Sequence, residues 1–348
     1  MKELQLSFIV PIFNGKRYLS KCLDSLLNQN ISTDEYEIIC INDCSTDNST
    51  DTVLKYKEKH SNIILINLPV NSKTGTVCNV GLANARGKYI WIVGQDDWIE
   101  TGCLKKLIQT CEQKELDILT FNYKRVDEQE KELHSATVFN NSEVMKGNFF
   151  IHEYFENSFI HYLLGYEWRA IFNKSYLEKT SIKFTDGAIY EDTVFLFKAM
   201  VYANRLASIE DFLYYYRVNT GSITDFNKKY KGNLIYEFAF VAGKEVLELS
   251  EELKNKEKEF SEALYHKAIW YFESFSYKVI ASSFKEKKVF YSLILKNKKS
   301  IANMIDKTTW YINLLANPYV GFVCVVILKP FYLLKKRIKN KPQQDWCY

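Results

Sequence analysis

The chain has 348 residues, 47% hydrophobic and 25% charged, with 5 Pro and 13 Gly, which excludes a disordered or linker-rich polypeptide. Its 46 basic and 42 acidic residues nearly cancel at a net charge of +4, too balanced to argue for a nucleic-acid partner. Eight cysteines without a CxxC pair, and five scattered histidines, supply neither a disulfide framework nor a zinc spacing.

The N-terminus enters a strand at once and lacks a basic-then-apolar leader, so no signal peptide is expected. "LSFIVPIF" (6–13) is predicted as a strand, stopped by Asn14-Gly15. In the next segment Leu19, Cys22, Leu23, Leu26 and Leu27 fall on one helical stripe. "EIICIND" (37–43) is a near-continuous apolar strand, and "STDNSTDTVLKYKEKH" (45–60) opens with capping residues and continues as a helix. "NIILINLP" is a third strand, "TGTVCNVGLANARG" a helix closing at Gly87, and "KYIWIV" a fourth strand. "CLKKLIQTCEQ" follows as a helix and "LDILTFNY" as a fifth strand. Cys22 and Cys111 lie on apolar stripes and Cys40 in a strand, positions that suit reduced core thiols. Apolar strands alternating with helices imply a mostly parallel sheet covered on both faces, whose ligands bind at the carboxyl ends of the strands. Polar residues gather at three such ends: Asn14-Gly15, Asn42-Asp43 and Gln95-Asp96-Asp97.

From residue 124 the character changes. "VDEQEKELHS" reads as a polar loop, and aromatic-rich segments continue to about residue 225. The chain then reads as helical. It ends in an apolar run, Tyr319–Leu328, short of the roughly 20 residues that span a bilayer, followed by Lys335, Lys336, Arg337, Lys339 and Lys341. Such a tail suits an interfacial contact with anionic lipid; a packing helix and a true span are the alternatives. The expected domains are 1–225, with a nucleotide-binding half (1–123) and an acceptor half (124–225), and a helical region 226–348.

Three constellations could carry chemistry. The acids of "GQDD" (94–97), leaving a buried strand, could hold a hard divalent cation completed by substrate phosphates, or be a plain surface pair. In "IYEDTVF" (189–195) an apolar frame could raise a carboxylate into the range of a general base, or Glu191 and Asp192 could simply favour a helix N-terminus. In "YYYRVNTGSIT" (214–224) Arg217 could reach a diphosphate, or close an edge strand. Lys73 precedes a helix N-terminus, a place that favours phosphate. Neither GxGxxG after the first strand nor GxxxxGK[ST] occurs, which disfavours dinucleotide oxidoreductases and P-loop NTPases.

In order, "SFIVPIFNGKRYLSKCLDSLLNQ", "YEIICINDCSTDNSTDTVLKYKEKH" and "GKYIWIVGQDDWIE", continued more thinly through "DGAIYEDTVF" and "YYYRVNTGSIT", resemble the inverting family 2 glycosyltransferases of bacterial surface-polysaccharide synthesis. The resemblance implies an α/β GT-A (Rossmann-like) fold with a C-terminal helical extension. It implies a nucleotide-sugar donor, UDP-linked by preference, and a glycan or lipid-linked acceptor. It implies Mg²⁺ or Mn²⁺ at Asp96 and Asp97, with Asp96 the leading ligand. Pro11, Ile12, Phe13 and Asn14 would line the nucleotide site, Asp43 would accept from the base, and Gln95 and Lys73 would complete the donor site. Asp192, ahead of Glu191, would be the catalytic base, and Arg217 would approach the leaving diphosphate. The implied place is the cytoplasm, with a peripheral contact to the inner membrane through the tail. The sequence departs from the family where an acid is usual and Gly94 stands, and where an arginine is usual and Val77-Cys78-Asn79 stand. These departures keep a non-catalytic glycan- or nucleotide-binding relative as an alternative; a nucleotidyltransferase is the other.

Overall fold

The computed structural model describes residues 4–136, 142–147, 166–186, 191–219 and 234–258, with 261, 262, 264, 265 and 268. The chain divides into two units, Met1–Asn219 and Thr220–Tyr348.

The first unit is built on a nine-stranded mixed sheet. Strand β1 (Leu6–Ile12) lies between β2 (Tyr36–Asn42) and β4 (Tyr89–Ile92), parallel to both, and β3 (Ile63–Asn67) extends the parallel half beyond β2. Every residue of β2 and β4 is buried, as strands covered on both faces must be. Helices α1 (Lys16–Leu27), α2 (Ser49–Lys57), α3 (Lys73–Asn84) and α4 (Leu104–Gln113) connect these strands. The predicted stripes are the buried faces: Leu19, Cys22, Leu23 and Leu26 on α1, and Leu104, Leu107, Ile108 and Cys111 on α4. Each such leucine contributes roughly 1.5–3 kcal/mol by leaving water. Cys22, Cys40 and Cys111 are buried free thiols, as expected.

The second half of the sheet is mixed. The predicted fifth strand, β6 (Ile118–Val126), does not lie beside β4; β8 (Ala170–Asn173) inserts between them, antiparallel to both. Beyond β6 come β9 (Leu206–Arg217), parallel to it, and the short β5 (Trp98–Ile99), antiparallel to β9. The segment taken as a polar loop is a hairpin: β6 turns at Asp127–Glu130 into β7 (Glu132–Ala136). Periodicity finds strands but not partners, because pairing over fifty residues is decided by which edge is left open. A 3₁₀ turn, Glu167–Arg169, precedes β8, and α5 (Lys174–Thr180) and α6 (Glu191–Tyr202) follow it.

In the second unit α7 (Leu234–Leu253) is a helix whose buried Ser250 hydroxyl donates to the Ser261 carbonyl at 2.7 Å. The basic tail 317–341 lies outside the described residues. Among the described residues no helix is long and apolar enough to cross a membrane.

Candidate active site

The carboxyl ends of β1, β2 and β4 form one network. At the exit of β1, Asn14 adopts a left-handed φ of 51°, and its backbone N–H donates to Ser45 Oγ at 3.0 Å. The Gly15 N–H donates to Ser49 Oγ and the Lys16 N–H to Asp47 Oδ2, both at 3.0 Å. Asn14 Oδ1 accepts in return from the Thr46 N–H at 2.8 Å. Asp47 therefore serves both helix starts, since its Oδ1 also accepts from the Ser49 N–H at 3.1 Å, where α2 begins. Partial burial works to raise the Asp47 pKa, but the hydrogen bonds from Ser49 and the Lys16 N–H outweigh it and the net shift is downward.

Asp43 is buried at the end of β2, and its oxygens accept from the Ser72 N–H at 2.6 Å and the Lys73 N–H at 3.1 Å. It thus caps α3, and the two amides that could have met a phosphate beside Lys73 are already engaged. The exposed Lys73 ammonium donates to Asn71 Oδ1 at 2.7 Å.

At the exit of β4, Gln95 accepts from the Phe13 N–H and donates to the Phe13 carbonyl, each at 2.9 Å. A Cβ at Gly15 would collide with Gln95 Oε1, so a larger residue there would displace the Gln95 carboxamide from this position. Asp97 is buried. Its Oδ2 accepts from the Tyr214 hydroxyl at 2.7 Å and its Oδ1 from the Arg217 N–H at 2.8 Å, both on β9. Asp96 is half-buried, and its Oδ2 accepts from Asn219 Nδ2 at 2.8 Å. Burial raises the pKa of both carboxyls; at Asp97 the neighbouring Asp96 charge adds to it, while Tyr214 and Arg217 oppose it. A Cβ at Gly94 would stand 2.7 Å from Asp97 Oδ2 and 3.3 Å from Asp96 Oδ1, so the acid usual at this position has no room here.

The Arg217 guanidinium is engaged by protein groups. It lies between Tyr18 and Trp98, 5.0 and 4.7 Å from their centroids, donates through Nε to the Asp96 carbonyl at 3.1 Å, and reaches the β6–β7 turn at the Glu128 carbonyl and Glu130 carboxylate, both at 3.3 Å. It is buried and fixes the acidic loop from behind.

Of the second acidic pair, Asp192 is half-buried in the first turn of α6; the Glu191 side chain lies outside the described residues. Asn79 of α3 fastens the segment before α6, donating to the Phe184 carbonyl and Asp186 Oδ1 and accepting from the Phe184 N–H, each at 2.9 Å. Asn79 is thus a structural tie, and Cys78, which stands where an arginine was expected, is buried. Sequence reasoning passed over Asn219, two positions beyond the arginine it did single out, and Glu167, an acid in an aromatic frame like that of Glu191-Asp192. Among the described residues no three His, Cys, Asp or Glu gather as a metal cage.

A mostly parallel sheet whose strands end in a joined polar edge defines an α/β protein of the class that places its ligand sites at that edge. The model of Glycosyl transferase family 2 matches residues 7–180, and the chain belongs to that family. It is 32% identical over 219 residues to a poly(ribitol-phosphate) beta-glucosyltransferase of Bacillus spizizenii, covering 62% of this chain and 32% of that one. It is 28% identical to the Bacillus subtilis glycosyltransferase EpsJ, covering 63% of each. The chain therefore spans less than two thirds of these relatives. The structure superposes on Staphylococcus aureus TarS 1–349 in complex with UDP-GlcNAc with a TM-score of 0.67 at 24% identity, covering 84% of this chain and 80% of that one. The GT-A expectation for the fold is borne out.

Proposed function

We propose that the chain is an inverting glycosyltransferase that moves a sugar from a UDP-sugar to a hydroxyl of a glycan or lipid-linked surface polymer. The observation that carries this reading is the Asp96–Asp97 pair: two carboxyls, both raised by burial and set beside one another at the exit of β4, make a place that favours a divalent cation brought with a nucleotide diphosphate. Family membership and relatives named for glucosyl and N-acetylglucosaminyl transfer to poly(ribitol-phosphate) support the reaction class.

Asp96 is the better ligand, because Asp97 already spends an oxygen on each of two β9 donors. Asp97 holds the loop, and Asn219 and Arg217 hold Asp96. Mg²⁺ or Mn²⁺ bound there would act as a Lewis acid on the departing diphosphate. Pro11, Ile12, Phe13 and Asn14 lie where β1 meets the nucleotide, with Gln95 and Asp43 fixing their backbone and that of α3. Asp192 takes the proton of the acceptor hydroxyl as that oxygen bonds to the anomeric carbon, and the bond to the nucleoside diphosphate breaks on the opposite face. Asp192 leads over Glu191 because it sits at the second position of α6, beside the described aromatic turn. The apolar and then basic tail supports a cytoplasmic enzyme touching the membrane surface.

The test is a nucleotide-sugar screen for metal-dependent thermal stabilisation, followed by assay of nucleoside diphosphate release. Asp96→Ala should abolish both. A near-normal rate for Asp96→Ala in the presence of chelator overturns the metal assignment, and release of pyrophosphate instead would make the protein a nucleotidyltransferase.

A further inference from the structure

A cavity opens at the end of the sheet away from the acidic loop, and the reaction above does not use it. It holds about 290 Å³ between the start of β6, the end of β8, α5 and the turn from α6 to β9. Asn173, in its wall, pairs with Tyr89 at the entering end of β4, whereas Asp96 and Asp97 follow the other end of that strand. The polar wall is held in place. Asp117 Oδ2 accepts from the Asn204 N–H at 2.9 Å and the Arg205 N–H at 3.0 Å, and the Asp117 carbonyl accepts from the Asn173 N–H at 2.8 Å. Asn173 Oδ1 accepts from the Tyr176 N–H at 3.2 Å. The Tyr176 hydroxyl donates to the Ala199 carbonyl of α6, which fixes the ring. Asp117 Oδ1, Asn173 Nδ2, the Asn204 carboxamide and the Lys179 ammonium are left without a hydrogen-bond partner among the described residues. Tyr176 and Tyr202 line the same cavity.

We propose that this cavity is a non-catalytic saccharide site, which holds one sugar unit of the acceptor glycan away from the reacting hydroxyl. The holding of an acceptor rests on the glycosyl-transfer reading; the saccharide site itself does not. A sugar hydroxyl both donates and accepts, so it is matched by donors and acceptors set side by side. The cavity offers a carboxylate oxygen that only accepts, an ammonium that only donates, and two carboxamides. One carboxylate and one ammonium cancel, which suits a neutral ligand and disfavours a phosphate, to which Asp117 would be a like charge. The tyrosine side chains add apolar surface for the C–H face of a sugar ring, while the polar groups beside them take its hydroxyls. Asp117 and Asn173 are fixed before anything binds, so little of the binding energy is lost in ordering them. A glycan bound both here and at the β4 exit is held at two points, and even a weak hold here raises the effective concentration of its terminus at the reaction centre.

The test uses the full chain, with methyl β-D-glucopyranoside and N-acetylglucosamine as probes read by saturation-transfer NMR without nucleotide. Asn204→Ala and Lys179→Ala change exposed side chains that make no hydrogen bond among the described residues, so both variants should melt within about 2 °C of wild type. Wild type should bind at least one probe at millimolar concentration, and each variant should bind it about five- to tenfold more weakly. In transfer to an oligosaccharide acceptor, each variant should raise the acceptor KM about tenfold with kcat and donor KM unchanged. Absence of probe binding by wild type, or equal binding by wild type and both variants, overturns the saccharide site. So does binding of inorganic phosphate that Lys179→Ala abolishes. Weakened probe binding with an unchanged acceptor KM overturns the acceptor role. Failure of the underlying reading shows separately: the variants would still weaken probe binding, in a chain that releases no nucleoside diphosphate from any nucleotide sugar.

Discussion

The Gln95 carboxamide and the Phe13 peptide unit form a closed pair, each supplying one donor and one acceptor at 2.9 Å across 82 residues of sequence. The acidic loop leaving β4 is thereby registered against the exit of β1, where the proposed nucleotide site begins. Gln95→Ala should cost about 1–2 kcal/mol, the order of two lost hydrogen bonds, and loosen donor binding more than chemistry. Steady-state kinetics should show a donor KM raised about tenfold with kcat within about twofold of wild type.

Tyr214 stands behind the same loop. Its hydroxyl accepts from the Gly94 N–H at 3.0 Å and donates to Asp97 Oδ2 at 2.7 Å, inside a stack with Trp168. Tyr214→Phe keeps the ring and leaves a buried carboxylate and a backbone N–H each short of one partner. A loss of about 1–3 kcal/mol is expected, read as a lower denaturant midpoint with an unchanged m-value.

Arg217→Lys conserves charge but not shape. A lysine cannot lie flat between Tyr18 and Trp98 while reaching the Asp96 carbonyl and the β6–β7 turn. The variant should lose about 2–4 kcal/mol of stability by urea unfolding. Since the guanidinium is occupied with protein groups, added nucleoside diphosphate should stabilise Arg217→Lys by as much as it stabilises wild type. A variant that folds normally but loses that increment would restore Arg217 to a diphosphate role.

Asn79 joins α3 to the segment that delivers α6. Asn79→Ala removes three hydrogen bonds, two of them to the backbone of Phe184, and about 1–3 kcal/mol of stability. If Asp192 is the base, kcat should fall about tenfold with little change in donor KM, because the helix bearing the base is loosened while the β1 and β4 exits are untouched.

Much of this was legible in the chain itself. The alternation of apolar strands with amphipathic helices fixed the α/β class. The stripes on α1 and α4 are the buried faces, since 3.6-residue periodicity and burial are one fact seen twice. The polar tails of β1, β2 and β4 meet because parallel strands end at one edge. The roles within that edge were not legible. Asp47 reads as a cap for the helix after it, and it also holds the first N–H of the helix before it. Arg217 reads as a free cation and is enclosed between rings. Glu167 was passed over because its turn becomes a buried carboxyl site only when α6 and β9 arrive.

The sequence by itself determined which segments are strand and helix, which faces are apolar and which strand ends carry acids, because those depend on neighbours within a few residues. Tertiary structure alone decided that β8 parts β4 from β6, that Asp97 answers to β9, and that the turn bearing Glu167 packs against α6. Those are contacts across tens of residues, selected by burial and by the need to pair every polar group left without water, and no local pattern encodes them.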